Sequence, residues 1–171
     1  MAIEDFWIFG DSYSYYDNRF KDDRPWIAQI SKKFKCPVYN ISMPGVSQDW
    51  IMDQIDVHKN KITPKSQIII LLTDIHRFWF FEPKPDFSNI NIGDLHHYIS
   101  HQEIDAIKAY TTIIQRPHLD IIMMRHRLGW LNNLSNNRNW RKILVIQGFP
   151  LPLSNQTEYE NLDFSIGNLE R

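Results

Sequence analysis

Ile68-Ile69-Ile70-Leu71-Leu72 is the clearest strand in this chain: five consecutive aliphatic residues with a polar stretch, 59–65, before them and another, 73–77, after. Phe6–Phe9 is a second such run, and being apolar on both faces it has the character of a central strand in a parallel sheet. Val38–Ile41 and Ile143–Ile146 read as two more strands, and Leu162–Ser165 as a weak fifth. The segments between follow a different period. Trp26, Ile27, Ile30 and Phe34 recur at helical spacing, with Pro25 suited to the first turn and Cys36-Pro37 as a stop. Ser47 is placed to cap a helix carrying Trp50, Ile51 and Ile55 on one face. Strand, helix, strand, helix, strand predicts an α/β three-layer sandwich around a mostly parallel sheet of four to five strands. No internal repeat and no boundary divides it, so residues 1–171 are expected to form one domain.

The middle is less regular. Phe78-Trp79-Phe80-Phe81 is a dense aromatic run, read as core or a partner-facing patch, and 82–93, with Pro83 and Pro85, reads as a long surface loop. Ser100-His101-Gln102-Glu103 matches a capping box and opens a predicted helix with Ile104, Ile107, Tyr110 and Ile114 on one side. Pro117 is expected to break or kink that helix. A second amphipathic stretch follows through Ile122, His126, Trp130 and Leu134, and 132–139 is expected to be a turn.

Composition narrows the function classes. The chain has 171 residues, 43% of them hydrophobic, enough for a sizeable core. Its formal net charge is −1 with both signs interspersed, so no basic stripe points to nucleic acid. Cys36 is the single cysteine, which leaves no internal disulfide and no cysteine-based metal site; its flanks lack a redox motif, and it reads as a structural or incidental thiol. Glu4 and Asp5 stand where a signal peptide carries basic residues, and no apolar run spans a bilayer. A soluble, cytoplasmic protein without a membrane span is the expectation.

The chemistry is expected at the carboxyl ends of the strands, where open α/β sheets bind ligands at the point where strand order reverses. Gly10-Asp11-Ser12-Tyr13-Ser14 follows the first strand, and Asn40-Ile41-Ser42-Met43-Pro44-Gly45-Val46-Ser47 includes the end of the second. Together these resemble the first two blocks of the SGNH, or GDSL-like, hydrolases, over roughly the first 80 residues, and the rest of the chain is similar only by architecture. The resemblance implies a flavodoxin-like sheet, Ser12 as nucleophile toward an ester carbonyl, and the backbone N–H groups of Ser12 and Gly45 as oxyanion donors. Asp11 lies beside the nucleophile as a candidate substrate contact. It implies an ester-bearing small molecule or an O-acetylated carbohydrate as substrate, and no cofactor or metal. Read from the residues alone, Ser12 and Gly45 are equally at home in simple turns.

The third and last blocks depart from that pattern. Where the family places an Asn, this chain has Leu72-Thr73-Asp74-Ile75-His76-Arg77. There Thr73 offers a hydroxyl, Arg77 offsets negative charge, His76 is a candidate base and Asp74 a candidate carboxylate. A Thr-x-x-x-Arg pattern is similar to divergent, often virus-borne members. The family's closing Asp-x-x-His loop is missing: 149–171 contains Asp163 and no histidine, and the literal Asp94-Leu95-His96-His97 comes too early. His96, His97 and His101 lack a known metal-ligand spacing. The alternative is therefore a non-catalytic SGNH-like binding or assembly module, homo-oligomeric or bound to a protein partner, for example in a virus particle. A shortened form of a longer hydrolase is a related reading. A receiver or nucleotide-binding domain is the weakest, since no glycine-rich phosphate loop opens the first helix.

Overall fold

The computed structural model describes residues 2–15, 26–73, 78–79, 89–90, 101–109, 113, 117–147 and 159–166. Five strands form one sheet: β1 (Asp5–Phe9), β2 (Val38–Asn40), β3 (Ser66–Leu72), and, after a separate hairpin, β6 (Ile143–Gln147) and β7 (Leu162–Ile166). Their spatial order is β2-β1-β3-β6-β7, and every neighbouring pair is parallel. The hairpin is β4 (Phe78–Trp79) antiparallel to β5 (Asn89–Ile90), so the stretch read as loop over 82–93 contains a short strand. The helices are α1 (Trp26–Phe34), α2 (Gln48–His58), α3 (His101–Ala109) and α4 (Pro117–Arg138).

The uninterrupted apolar runs are explained by burial on both faces of the sheet. Trp7 and Phe9 of β1, Ile68, Ile70 and Leu72 of β3, and Ile143 and Val145 of β6 pack on one face with Trp50, Ile51 and Ile55 of α2 and Met124, Leu128 and Leu131 of α4. The alternate residues Phe6, Ile8, Ile69 and Leu71 meet Ile27 of α1 on the other face, with Cys36 packed against them. This is the expected three-layer α/β architecture, with α1 opposite α2 and α4. The chain moves from β1 to β2 in one direction, then back past β1 to β3. Right-handed crossovers of opposite direction put α1 and α2 on opposite faces, and they open a crevice between the carboxyl ends of β1 and β3.

Two helix ends are set by residues in the left-handed region. Lys35 (φ 52°) closes α1, its N–H donating to Ser31 O at 2.9 Å. Asn139 (φ 52°) closes α4, where Trp140 N–H donates to Ser135 O at 3.0 Å and Asn139 N–H to Asn136 O at 3.1 Å, the paired bonds of a Schellman cap. The expected turn over 132–139 is therefore corrected: α4 runs on to Arg138. Its asparagines are poor helix formers, but burial of Leu131 and Ser135 overrides propensity. Pro117 begins this helix, occupying the first turn, where a missing N–H costs nothing. The inward face also differs from the expected one. Met124, Leu128, Leu131 and Ser135 are buried, while Ile122, His126 and Trp130 are exposed and only Leu134 packs partly against the core.

β7 pairs with β6 from Ile143↔Leu162 to Gln147↔Ile166, a full parallel edge strand where the sequence suggested a weak one. Ser100, Tyr110 and Ile114 of the expected capping-box helix, and Pro25 before α1, lie outside the described residues, as do Phe80 and Phe81. No described helix is long and apolar enough to cross a membrane.

Gly129 sits inside α4 with open space where a Cβ would be. Alanine there reduces the conformational freedom of the unfolded chain without a clash. Gly129→Ala is expected to raise unfolding stability by about 0.5–1 kcal/mol, read as a higher urea midpoint at unchanged slope.

Candidate functional site

The site is built where β1 runs out. Gly10 follows the strand at a point where nothing larger fits: a Cβ there would overlap Ser14 Oγ and stand 2.9 Å from Leu71 Cβ of the adjacent strand. Asp11 then folds the chain into a single helical turn. Its carbonyl accepts from Ser14 N–H at 3.1 Å and Tyr15 N–H at 2.9 Å, and its Oδ1 accepts from Tyr13 N–H at 3.1 Å. Ser14 Oγ also donates to the Asp11 carbonyl, at 3.2 Å. Asp11 and Ser14 are buried in making this turn, while Ser12 between them is exposed. The geometry separates the two serines of the turn: Ser14 is consumed by it and Ser12 is presented to solvent.

The segment after β2 is stitched to that turn. Asn40 Nδ2 donates to Ser14 O at 2.7 Å, Met43 N–H donates to Gly10 O at 3.2 Å, and Ser42 N–H donates to Asn40 Oδ1 at 3.2 Å. The chain then turns through Gly45 at φ 78°, the left-handed region where an L side chain is strained. Ser47 caps α2 by accepting from Trp50 N–H at 3.2 Å, as its position before the apolar face suggested. Among the described residues, the backbone N–H groups of Ser12 and Gly45 donate to no acceptor.

Thr73 follows β3 directly. It is 1% exposed, and its Oγ1 is buried without a hydrogen-bond partner among the described residues, a condition that costs about 1–3 kcal/mol unless some group satisfies it. Its carbonyl accepts from Gln48 Nε2 at 2.9 Å. The register of β1 on β3, ending at Phe9↔Ile70, lays the turn of Ser12 alongside the end of β3. The structure thus gathers Asp11, Ser12, Gly45 and Thr73 at one edge of the sheet. Asp74, His76 and Arg77, expected next to Thr73, lie outside the described residues, as do Asp94, His96 and His97.

The described histidine side chains are elsewhere. His58 closes α2, its Nδ1 2.9 Å from Gln54 O and its ring against Trp7 and Phe9. His118 and His126 are exposed on α4. Among the described residues no cluster of His, Cys, Asp and Glu is assembled that could hold a metal ion.

Three residues of this edge escaped sequence reasoning. Asn40 carries a side-chain bond to the turn that presents Ser12, Gln48 ties α2 to β3, and Arg127 of α4 clamps Asp49 through Nε at 2.6 Å and Nη2 at 2.8 Å. Arg127 comes from a helix far along the chain, and no local pattern marks it. Asn40 was legible as part of the second block, but its bond to Ser14 O needs the parallel pairing of β1 and β2.

No protein-family model matches this chain, and no curated protein matches it in sequence. Among solved structures it is similar to TesA, at 14% sequence identity and a TM-score of 0.45, over 92% of this chain and 68% of that one.

Proposed function

We propose that this chain is an SGNH-type serine hydrolase acting on an ester or O-acetyl group. The observation that carries the reading is the exposed Ser12 at the β1/β3 crevice, accompanied by two backbone N–H groups, of Ser12 and Gly45, that no described acceptor uses. The sequence likeness of the 10–14 and 40–47 blocks to that family supports it. In this reading Ser12 Oγ attacks the acyl carbonyl and gives its proton to a base. The carbonyl oxygen, now negative, accepts hydrogen bonds from Ser12 and Gly45 N–H. Thr73 Oγ1, buried beside them, is the third donor, in place of the family's Asn. Collapse of the tetrahedral species expels the alcohol, which takes the proton back from the base. Water, giving its proton to the same base, then releases the acyl group as an acid while Ser12 regains its proton. We assign His76, just beyond Thr73, as the base, Asp74 as the carboxylate that orients it, and Arg77 as the charge that offsets the ester's developing anion. Asp11 shapes the turn that presents the nucleophile. A fluorophosphonate probe tests this: one covalent adduct on Ser12, located by peptide mass spectrometry, is the expected result, and a protein that takes up no probe and hydrolyses no aryl acetate overturns it.

The second reading is a non-catalytic assembly module, and one observation favours it. Leu119, Ile122, Met123 and Trp130 form an exposed apolar stripe along α4. A helix apolar on two sides is more usual where both sides are covered. Sedimentation velocity separates the readings: self-association lost in Trp130→Glu supports assembly through this stripe, and a concentration-independent monomer that turns over esters rules it out.

A further inference from the structure

Gln48 is the first residue of α2, just past the Ser47 cap and close in sequence to the Gly45 turn, and it is 1% exposed. A buried primary amide is an expensive group to hold, and here both ends are used. Nε2 donates to Thr73 O at 2.9 Å, and Oε1 accepts from Arg127 Nη1 at 3.4 Å. The amide can sit only one way round, because a guanidinium offers only donors and a carbonyl only an acceptor. Arg127 in turn is locked by its fork on Asp49, with its own side chain only 14% exposed. One relay therefore runs from α4 through the start of α2 to the last described residue of the β3 edge. It sets the position of Thr73 relative to the Gly45 turn, two sites that no backbone ladder joins, since β1 stands between β2 and β3.

We propose that Gln48, oriented by Arg127, is a positioning residue for the oxyanion site: it holds Thr73 and the Gly45 turn at the spacing that lets their donors converge on one ligand oxygen. This rests on the hydrolase reading above. A group of this kind touches no substrate and acts through the geometry of others. Misplacing donors by about 1 Å costs on the order of 100-fold in rate, far more than the loss of one hydrogen bond removes from the folded population of a stable domain.

Gln48→Glu and Arg127→Lys test it in the full-length chain. Glutamate keeps the shape and can still accept from Arg127, but it cannot donate to Thr73 O. Lysine keeps the charge opposite Asp49 but loses the planar fork. Each variant is compared with wild type for its fluorophosphonate labelling rate at Ser12, its urea midpoint, and its backbone amide spectrum by 1H–15N NMR. The expected result is labelling slower by about 10- to 100-fold in Gln48→Glu while unfolding stays cooperative, with the Ser12 and Gly45 amide signals displaced and those of Ile69 and Val145 unmoved. Labelling at the wild-type rate in both variants, with only the urea midpoint lowered, overturns the proposal and leaves Gln48 a structural bridge. If wild type itself takes up no probe, the hydrolase reading fails and the oxyanion role with it. The amide spectrum then decides only whether Gln48 holds Thr73 and the Gly45 turn together: displaced Ser12 and Gly45 signals sustain that and unmoved ones end it. Should Gln48→Glu not fold, the same readouts on Arg127→Lys decide.

Discussion

Ser12→Ala is expected to abolish fluorophosphonate labelling and to lower ester turnover by at least about 10⁴-fold, the scale on which serine hydrolases lose activity when the nucleophile is removed. The fold should be untouched. Ser12 is exposed, and the turn around it is held by Asp11 and Ser14, so its hydroxyl carries no structural bond among the described residues. An unfolding midpoint shifted by the equivalent of no more than about 0.5 kcal/mol is expected. Together these outcomes separate the two readings of the chain. A nucleophile is silent in stability and decisive in activity. Were Ser12→Ala to retain wild-type ester turnover, the turnover would belong to another group and the mechanism would be lost.

Gly10→Ala should show the reverse balance, a large loss of stability from a single methyl group. The new Cβ would overlap Ser14 Oγ and press on Leu71 Cβ at 2.9 Å. Ser14 could rotate away only by giving up its bond to the Asp11 carbonyl inside a buried turn, and Leu71 is fixed in the centre of the sheet. Relief requires β1 and β3 to part locally. Overpacking of this kind costs about 1–3 kcal/mol, or roughly 2–4 °C in melting temperature per kcal/mol for a chain of this size. The displaced turn is the one that presents Ser12, so probe labelling should fall together with stability. A Gly10→Ala protein with wild-type melting temperature and labelling would mean that the β1/β3 edge is looser than the packing around Leu71 implies.

Much of the architecture is legible in the sequence. Unbroken apolar runs such as Phe6–Phe9 and Ile68–Leu72 are compatible with burial on both faces, and alternation with helical spacing leaves a parallel sheet as the economical solution. Ser47 was legible as a cap because capping is local: a side chain meets the backbone of the next turn. The same locality explains the failures. On α4, the Ile122–His126–Trp130 stripe and the Met124–Leu128–Leu131 stripe both place large hydrophobic residues at helical spacing, and only contact with the sheet decides which faces inward. The asparagines of 132–137 read as a turn by propensity, a weak preference that burial of Leu131 and Ser135 reverses. Leu162–Ser165 read weakly because an edge strand with exposed Asp163 alternates instead of running apolar.

At the candidate site the division is sharper. Sequence by itself determined the turn chemistry: a glycine ending a strand, a small polar cluster after it, a second glycine ahead of a capped helix. Those are properties of single residues and their near neighbours. Tertiary structure alone decided which serine is free, since Ser14 is buried under the turn and Ser12 is not. It also brought Gly45 and Thr73 to the same edge and bound that edge to α4 through Gln48 and Arg127. Those bonds join residues 25 and 79 positions apart. Hydrogen bonds over such separations exist only once the sheet has set its strand order, and no pattern along the chain encodes them.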